Sequence, residues 1–313
     1  MDSSVANLIK NLRKIINNPR KQYELIQRSG DWSKLCTCID TIEDTESAIE
    51  YYLRLKDFDA HTGGYLFIYG LLQALFLQQD AIGNLHDGIF ESSKYLKDIL
   101  ERFQELRNIR EIRNDSIGHP TNRGGKSYHS IVQHSINKNG FELYSDFDDE
   151  VDKFKNINLI EIIKVQRDVI AYSLKGILRK LEEEETLHKK IYSDNKLQNF
   201  FIHRHYCIEK LSNCLYSDET SSEKEDFAFR QLDIFEESYL EFIDEIKERY
   251  GFILDSIKHY QPKIEYVFSK IKKFKANEGL NQNIEATVLV DILNYYLREL
   301  ELAAKDVDKE YSV

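Results

Sequence analysis

Apolar residues recur at three- and four-residue intervals along most of this chain, the pattern of amphipathic helices. Val5, Leu8, Ile9, Leu12, Ile15 and Ile16 predict a helix over residues 4–17, ended by Asn17-Asn18-Pro19. A second short helix is predicted over 20–28, before a turn at SGDW. IEDTESAIEYYLRL predicts a third, with carboxylates early, where they complement the helix dipole. The loop DAHTGG leads into YLFIYGLLQALFLQQDAIGNL, the most apolar stretch and the predicted buried central helix. Residues 92–117 read as one long charged helix, apolar at Tyr95, Ile99, Phe103, Leu106, Ile109, Ile112 and Ile117.

Beyond Pro120 the period changes. KSYHSIVQHSI and FELYSDF flank Asn-Lys-Asn-Gly, whose last pair favours a tight turn, so a small β-hairpin is predicted over about 127–147. Asp148, Asp149 and Glu150 read as an acidic connector. Helical spacing resumes from 158 through Leu159, Ile163, Val169, Ile170, Leu174, Ile177 and Leu181, and EEEETLHKK continues it as a solvated end or spacer. After a polar linker at 217–226, three helices are expected up to 305, interrupted near Pro262 and at KANEGLNQN. The expected fold class is all-α with one inserted hairpin. Its organisation is an N-terminal helical preface at 1–40, a helical unit at 41–190 and a C-terminal helical unit at 191–313.

Composition narrows this picture. The 313 residues are 42% hydrophobic with only 3 prolines, enough for a substantial core and long helices. A net charge of −11 argues against a general nucleic-acid coat. No apolar run reaches the ~18–20 residues that span a bilayer, and no signal-like start is present, so a cytoplasmic chain without a membrane is expected. Four cysteines, at 36, 38, 207 and 214, read as free thiols. His203, Cys207 and Cys214 match no established zinc spacing, and neither a metal nor a cofactor is expected.

The candidate chemistry sits in EIRNDSIGHP, residues 111–120. Proline pushes the preceding residue out of the α conformation, and Gly118 tolerates a helix exit, so the helix is predicted to end at Ile117 or Gly118. In an unbroken helix Arg113 and His119 would diverge by about 120° and roughly 9 Å in height. Local unwinding would let both reach one anion. Arginine offers a permanent charge on a planar fork, histidine moves a proton near neutrality, and Asn114 orients by hydrogen bonding. RNA can be cleaved with these groups alone, because its own 2′-hydroxyl is the nucleophile. The competing reading has Arg113 paired with Glu105 or Asp115, Asn114 stopping the helix, and His119 complementing the dipole. Between 94 and 126, eight basic residues oppose five acidic ones, a local excess that suits a polyanion. Arg110, Arg123 and Lys126 are the candidate substrate contacts within it.

Arg113-Asn114, four residues, then His119 resembles the signature of HEPN domains, which are compact antiparallel helical bundles with the motif late in a long helix. The resemblance covers about 40–190. It implies a HEPN-like bundle and a metal-independent endoribonuclease, often a toxin or phage-defence effector, that dimerises so that two motifs share a cleft. Arg113 would hold the scissile phosphate, His119 would act in proton transfer or anion stabilisation, and Asn114 would orient them. An antitoxin or other regulatory protein is a possible partner beside RNA and a second copy of the chain. Many such toxins carry a tyrosine two residues after the histidine, where this chain has Thr121, which puts regulation through that residue in doubt. The alternative is a non-catalytic helical scaffold or RNA-binding protein with the same fold.

Gln78, Gln79 and Asp80 interrupt the apolar helix and need polar partners, which Arg110 or Arg113 could supply; Gln79, Asp80 and Asp115 are therefore expected as supporting residues. His86-Asp87 reads as a loop pair. His129 and His134 are expected on opposite faces of the hairpin, hence not in one site.

Overall fold

The computed structural model describes residues 4–29, 32–118, 120–121, 127–147, 150–217, 221–275 and 279–312. The protein is mostly helical with one small antiparallel sheet, and divides into two compact units, 1–182 and 183–313. No helix among the described residues is long and apolar enough to cross a membrane.

In the first unit, α1 (Val5–Ile16), α2 (Pro19–Ser29), α3 (Trp32–Arg54) and α4 (Gly64–Phe90) precede two shorter helices, α5 (Tyr95–Arg102) and α6 (Gln104–Arg113). A π-turn, Asn114–Gly118, follows α6. Strands β1 (Ser127–Ile131), β2 (Gly140–Phe147) and β3 (Glu150–Asn158) then form an antiparallel sheet in the order β1-β2-β3. The long α7 (Leu159–Tyr192) closes the unit, whose boundary falls within it. The stripes of α1 and α3 share one core with the C-terminal half of α4 and with Ile170, Leu174 and Ile177 of α7. The N-terminal half of α4 packs with α6 and the sheet's inner face in another.

Three sequence expectations are corrected. The helix over 92–117 is broken at Phe103, whose backbone leaves helical geometry at φ −115°, ψ 89°. Its ring meets Tyr172 edge-on at 5.9 Å while the Arg102 guanidinium lies over both rings, so the break inserts an aromatic wedge against α7. The hairpin gains a third strand: residues 150–158 pair with the edge of β2 that a two-stranded hairpin would leave open. His86 and Asp87 lie inside α4, not in a loop. The turn itself forms where Asn-Gly placed it, with Asn137 and Gly140 exchanging backbone hydrogen bonds. Gly140 is required there, since a Cβ would stand 1.8 Å from the Ile157 carbonyl oxygen across the ladder.

A polar relay runs through the apolar interior of this unit. Arg167 on α7 pairs with Glu46 on α3 at 2.6 Å, and Glu46 accepts from Gln78 Nε2. Gln166 Nε2 donates to Gln78 Oε1 at 3.0 Å and to the Leu75 carbonyl at 2.8 Å. Gln79 Nε2 donates to Gln166 Oε1 at 2.8 Å and to the Leu106 carbonyl, and Gln79 Oε1 accepts from Arg110 Nη1 on α6. All three glutamines are fully buried, yet nearly every polar atom they carry is used.

In the second unit, α8 (Arg204–Leu215), α9 (Ser222–Tyr250), the single turn α10 (Asp255–Lys258), α11 (Gln261–Phe274) and α12 (Ile284–Glu310) surround an aromatic-rich core. Pro262 opens α11 in its first turn, where a missing N–H costs nothing. Arg249 is buried between the rings of Tyr192 and Tyr311, and its Nε bonds Glu245 at 2.8 Å.

Two outcomes test this architecture in the first unit. Gln166→Leu keeps the volume but orphans the partners of its amide, each at ~1–3 kcal/mol. Urea unfolding monitored by the fluorescence of Trp32, the chain's single tryptophan, should show a loss of at least ~2 kcal/mol. His86 is stacked between Phe90 and Tyr95 at 4.0 and 3.5 Å, with Nδ1 buried and, among the described residues, lacking a hydrogen-bond partner. Burial lowers its pKa below the ordinary value, so the unfolded chain takes up its proton first as pH falls. The stability His86 contributes is complete above about pH 6.5 and declines below it. His86→Phe should flatten that part of the Trp32-detected stability profile between about pH 7.5 and 5.

Candidate functional site

Residues three apart on a helix share a face, so Arg110 and Arg113 of α6 point together toward α4. There they meet Gln73, Phe76, Gln79 and Asp80. The Phe76 ring receives both cations, the guanidinium carbons lying 3.9 Å (Arg110) and 4.6 Å (Arg113) from its centroid, within cation–π range.

The two arginines differ in what holds them. Arg110 Nη1 donates to Asp80 Oδ1 at 2.8 Å, an ion pair that offsets its charge. Arg113 donates from Nε and Nη2 to Gln73 Oε1 at 3.2 and 2.9 Å, and from Nη1 to Asn114 Oδ1 at 3.0 Å. Both acceptors are neutral amides. Among the described residues Arg113 makes no ion pair, neither with Glu105 nor with Asp115. These bonds use three of its five N–H donors, leaving one on each terminal nitrogen.

The fork is folded over the helix exit. A Cβ on Gly118 would lie 2.8 Å from Arg113 Nη1 and 3.3 Å from Asn114 Oδ1, so the guanidinium and the amide rest against the bare backbone of Gly118. The next residue in the chain is His119, which lies outside the described residues, as do Arg123 and Lys126.

Asp115 faces away from this group, toward the sheet. Its Oδ1 is 3.6 Å from Nε2 of His129, which is buried on β1. His129 Nε2 also meets Ser127 Oγ at 3.0 Å, Nδ1 meets Ser145 Oγ at 2.9 Å, and the backbone N–H donates to the Pro120 carbonyl at 2.7 Å. Thus β1 is fastened to the π-turn at Asp115 and to the chain just past it at Pro120. Ser116 Oγ, within that turn, is buried and has no hydrogen-bond partner among the described residues. His134 lies on a 3₁₀ turn rather than on a strand, and is exposed.

The structure therefore gathers Arg110, Arg113, Asn114, Gln79 and Asp80 on the α4–α6 face and assigns Asp115 to the sheet contact. Sequence reasoning did not single out Gln73, Phe76 or this use of His129. Gln73 carried a signal, since it interrupts the apolar helix one turn and a half before Gln78. Cys207 and Cys214 are buried on α8, burial pushing the Cys207 thiol up to about 12, against the thiolate form that binds metal. Among the described residues no three His, Cys, Asp or Glu side chains are grouped to hold a metal ion. Comparison of the chain with protein-family models, with curated proteins and with solved structures found no match.

Gly118→Ala tests the folded-over fork. The new methyl meets only side-chain ends, those of Arg113 and Asn114, so the stability from Trp32-detected unfolding should change by less than ~1 kcal/mol. The guanidinium must shift, and the Arg113 Nε–Hε resonance in ¹⁵N-correlated spectra should move while that of Arg110 stays. An unmoved Arg113 signal would contradict the contact.

Proposed function

We propose that this chain is a metal-independent endoribonuclease of HEPN type, acting as a homodimer whose two motifs line one cleft, in the service of toxicity or phage defence. The observation that carries the reading is the state of Arg113. Its charge is held in place by neutral amides and an aromatic face, with no carboxylate among the described residues to offset it, whereas Arg110 three residues earlier is ion-paired. A purely structural arginine gains most from a carboxylate; one that receives a phosphate is better held by neutral acceptors with N–H groups to spare.

In this reading Arg113 binds the non-bridging oxygens of the scissile phosphate and Asn114 fixes its orientation. The substrate's 2′-hydroxyl attacks phosphorus, the bond to the 5′-oxygen breaks, and a 2′,3′-cyclic phosphate and a 5′-hydroxyl result. His119 moves the proton or stabilises the charge that builds on phosphorus oxygens. Arg123 and Lys126 contact flanking phosphates, and Arg110 with Asp80 and Gln79 supports the face that aims Arg113. Thr121 leaves silencing to a route other than modification of a tyrosine at that position.

A second reading, a non-catalytic scaffold or RNA-binding protein, draws support from the three hydrogen bonds that already tie Arg113 into the fold.

Purified protein incubated with total RNA and excess chelator separates the two. Cleavage to cyclic-phosphate ends is expected, falling ~10²–10⁴-fold in His119→Ala and at least as far in Arg113→Ala, with helicity and oligomeric state unchanged. Wild-type rates in both variants would remove the catalytic assignment.

A further inference from the structure

The inner face of the sheet carries a polar island. Phe141, Leu143 and Ile157 are buried there beside Ser127, His129 and Ser145, which are buried as well. Packing alone would favour β-branched or aromatic residues at every one of these positions. Register places His129 opposite Ser145, and Ser127 stands on the same face of β1 one alternation earlier. The serines hold the imidazole from both sides: Ser145 Oγ is 2.9 Å from Nδ1 and Ser127 Oγ 3.0 Å from Nε2. So fixed, the ring sets Nε2 3.6 Å from Asp115 Oδ1 in the π-turn. The carboxylate favours the form of the ring that carries a proton on Nε2.

We propose that His129 is a positioning residue of the candidate site, acting through Asp115 to hold the Arg113 fork over the helix exit; the inference rests on the ribonuclease reading for the reaction this serves. The path is short. Asp115 follows Asn114, whose Oδ1 accepts from Arg113 Nη1 at 3.0 Å, and the guanidinium and amide together lie against Gly118 at the end of the turn. Rotation of the turn would carry Asn114 and Gly118 away from the fork. The turn has reason to rotate. Ser116 Oγ is buried in it without a partner among the described residues, and in α geometry that hydroxyl could bond back to the Ile112 carbonyl. His129 opposes this at two points. Its ring meets Asp115, the second residue of the turn, and its backbone N–H donates to the Pro120 carbonyl at 2.7 Å, just past the last. Both anchors belong to one residue of β1, a strand itself paired to β2.

Two substitutions separate positioning from packing. Glutamine places its amide nitrogen where histidine has Nε2, and asparagine where histidine has Nδ1. His129→Gln thus keeps a donor for Asp115 and gives up Ser145, whereas His129→Asn keeps Ser145 and gives up Asp115. The backbone bond to Pro120 survives in both, and melting curves set a temperature at which every variant is folded. On a defined single-stranded oligoribonucleotide with excess chelator, kcat should fall roughly 10–100-fold in His129→Asn with KM unchanged, and stay near wild type in His129→Gln. Asp115→Ala should also lower kcat, and the double variant Asp115→Ala with His129→Asn should lose no more than the worse of the two, because both remove one contact. Without substrate, the Arg113 Nε–Hε resonance should move in His129→Asn and in Asp115→Ala but not in His129→Gln. Equal rates in the Asn and Gln variants, additive losses in the double variant, or an unmoved Arg113 resonance in His129→Asn would each overturn the role. If the wild-type chain cuts no RNA, the ribonuclease reading falls, and the resonance alone decides whether His129 positions Arg113.

Discussion

Three glutamines buried in an apolar bundle govern where everything else in the first unit can sit. Gln78, Gln79 and Gln166 are fully buried, and their amides join α4 to α7, to Glu46 on α3 and to Arg110 on α6. A typical hydrogen bond nets only ~0.5–1.5 kcal/mol, but a buried amide left without partners costs ~1–3 kcal/mol. The relay therefore contributes less by stabilising the native arrangement than by penalising its neighbours. Advancing α6 by one residue along α4 would turn its side chains by ~100° and strand both Gln79 Oε1 and the Leu106 carbonyl bond. Apolar packing alone would tolerate such a slip far better.

Fixing α6 in that register fixes Arg113. The helix face that offers Arg110 to Gln79 and Asp80 offers Arg113 to Phe76 and Gln73, one helical turn nearer the start of α4. The two cations share a ring but not a counter-ion. Desolvating a guanidinium against an aromatic face and neutral amides preserves its field, and in a partly buried setting that field is screened less than at an open surface. The chain thus pairs the charge of one arginine with a carboxylate and holds the other, over the helix exit, with neutral amides.

Much of this was legible from spacing. The helices, the Asn-Gly turn and the need of Gln79 and Asp80 for polar partners follow from periodicity and from the cost of burying amides. Gln166 was not singled out, although it falls on the same stripe as Leu159, Ile163 and Ile170. What spacing could not supply were features decided by tertiary pairing. Phe103 has helical period on both sides, and only Tyr172 across the bundle explains why the backbone breaks there. The segment 150–158 mixes lysines and asparagines with Phe154 and Ile157, weak strand composition made a strand by the free edge of β2. His129 was expected only on one face of the hairpin, with no tie to the turn after Arg113. The Pro120 carbonyl brings β1 back onto the turn.

The π-turn resolves the geometric difficulty at the motif differently from simple fraying. In α geometry, residue 118 lies five positions past 113, about 140° around the axis and roughly 7.5 Å along it, out of reach of a guanidinium folded toward α4. Pairing of residue i with i+5 widens the turn, so that a residue five positions on falls nearly beneath the one before it. That is how Gly118 comes under Arg113, and why a side chain there would collide with Nη1. Widening has a cost, visible in the buried hydroxyl of Ser116, which finds no partner among the described residues, and such a turn persists only where surrounding contacts hold it. Here the contacts are Asp115 with His129 on one side and Arg113 with Asn114 on the other. A helix that needed only to end could have done so at Gly118 with an ordinary cap. One held open by a buried histidine on a neighbouring sheet, with a charged fork laid across its last glycine, is built to set the Arg113 guanidinium beside the chain's exit toward His119.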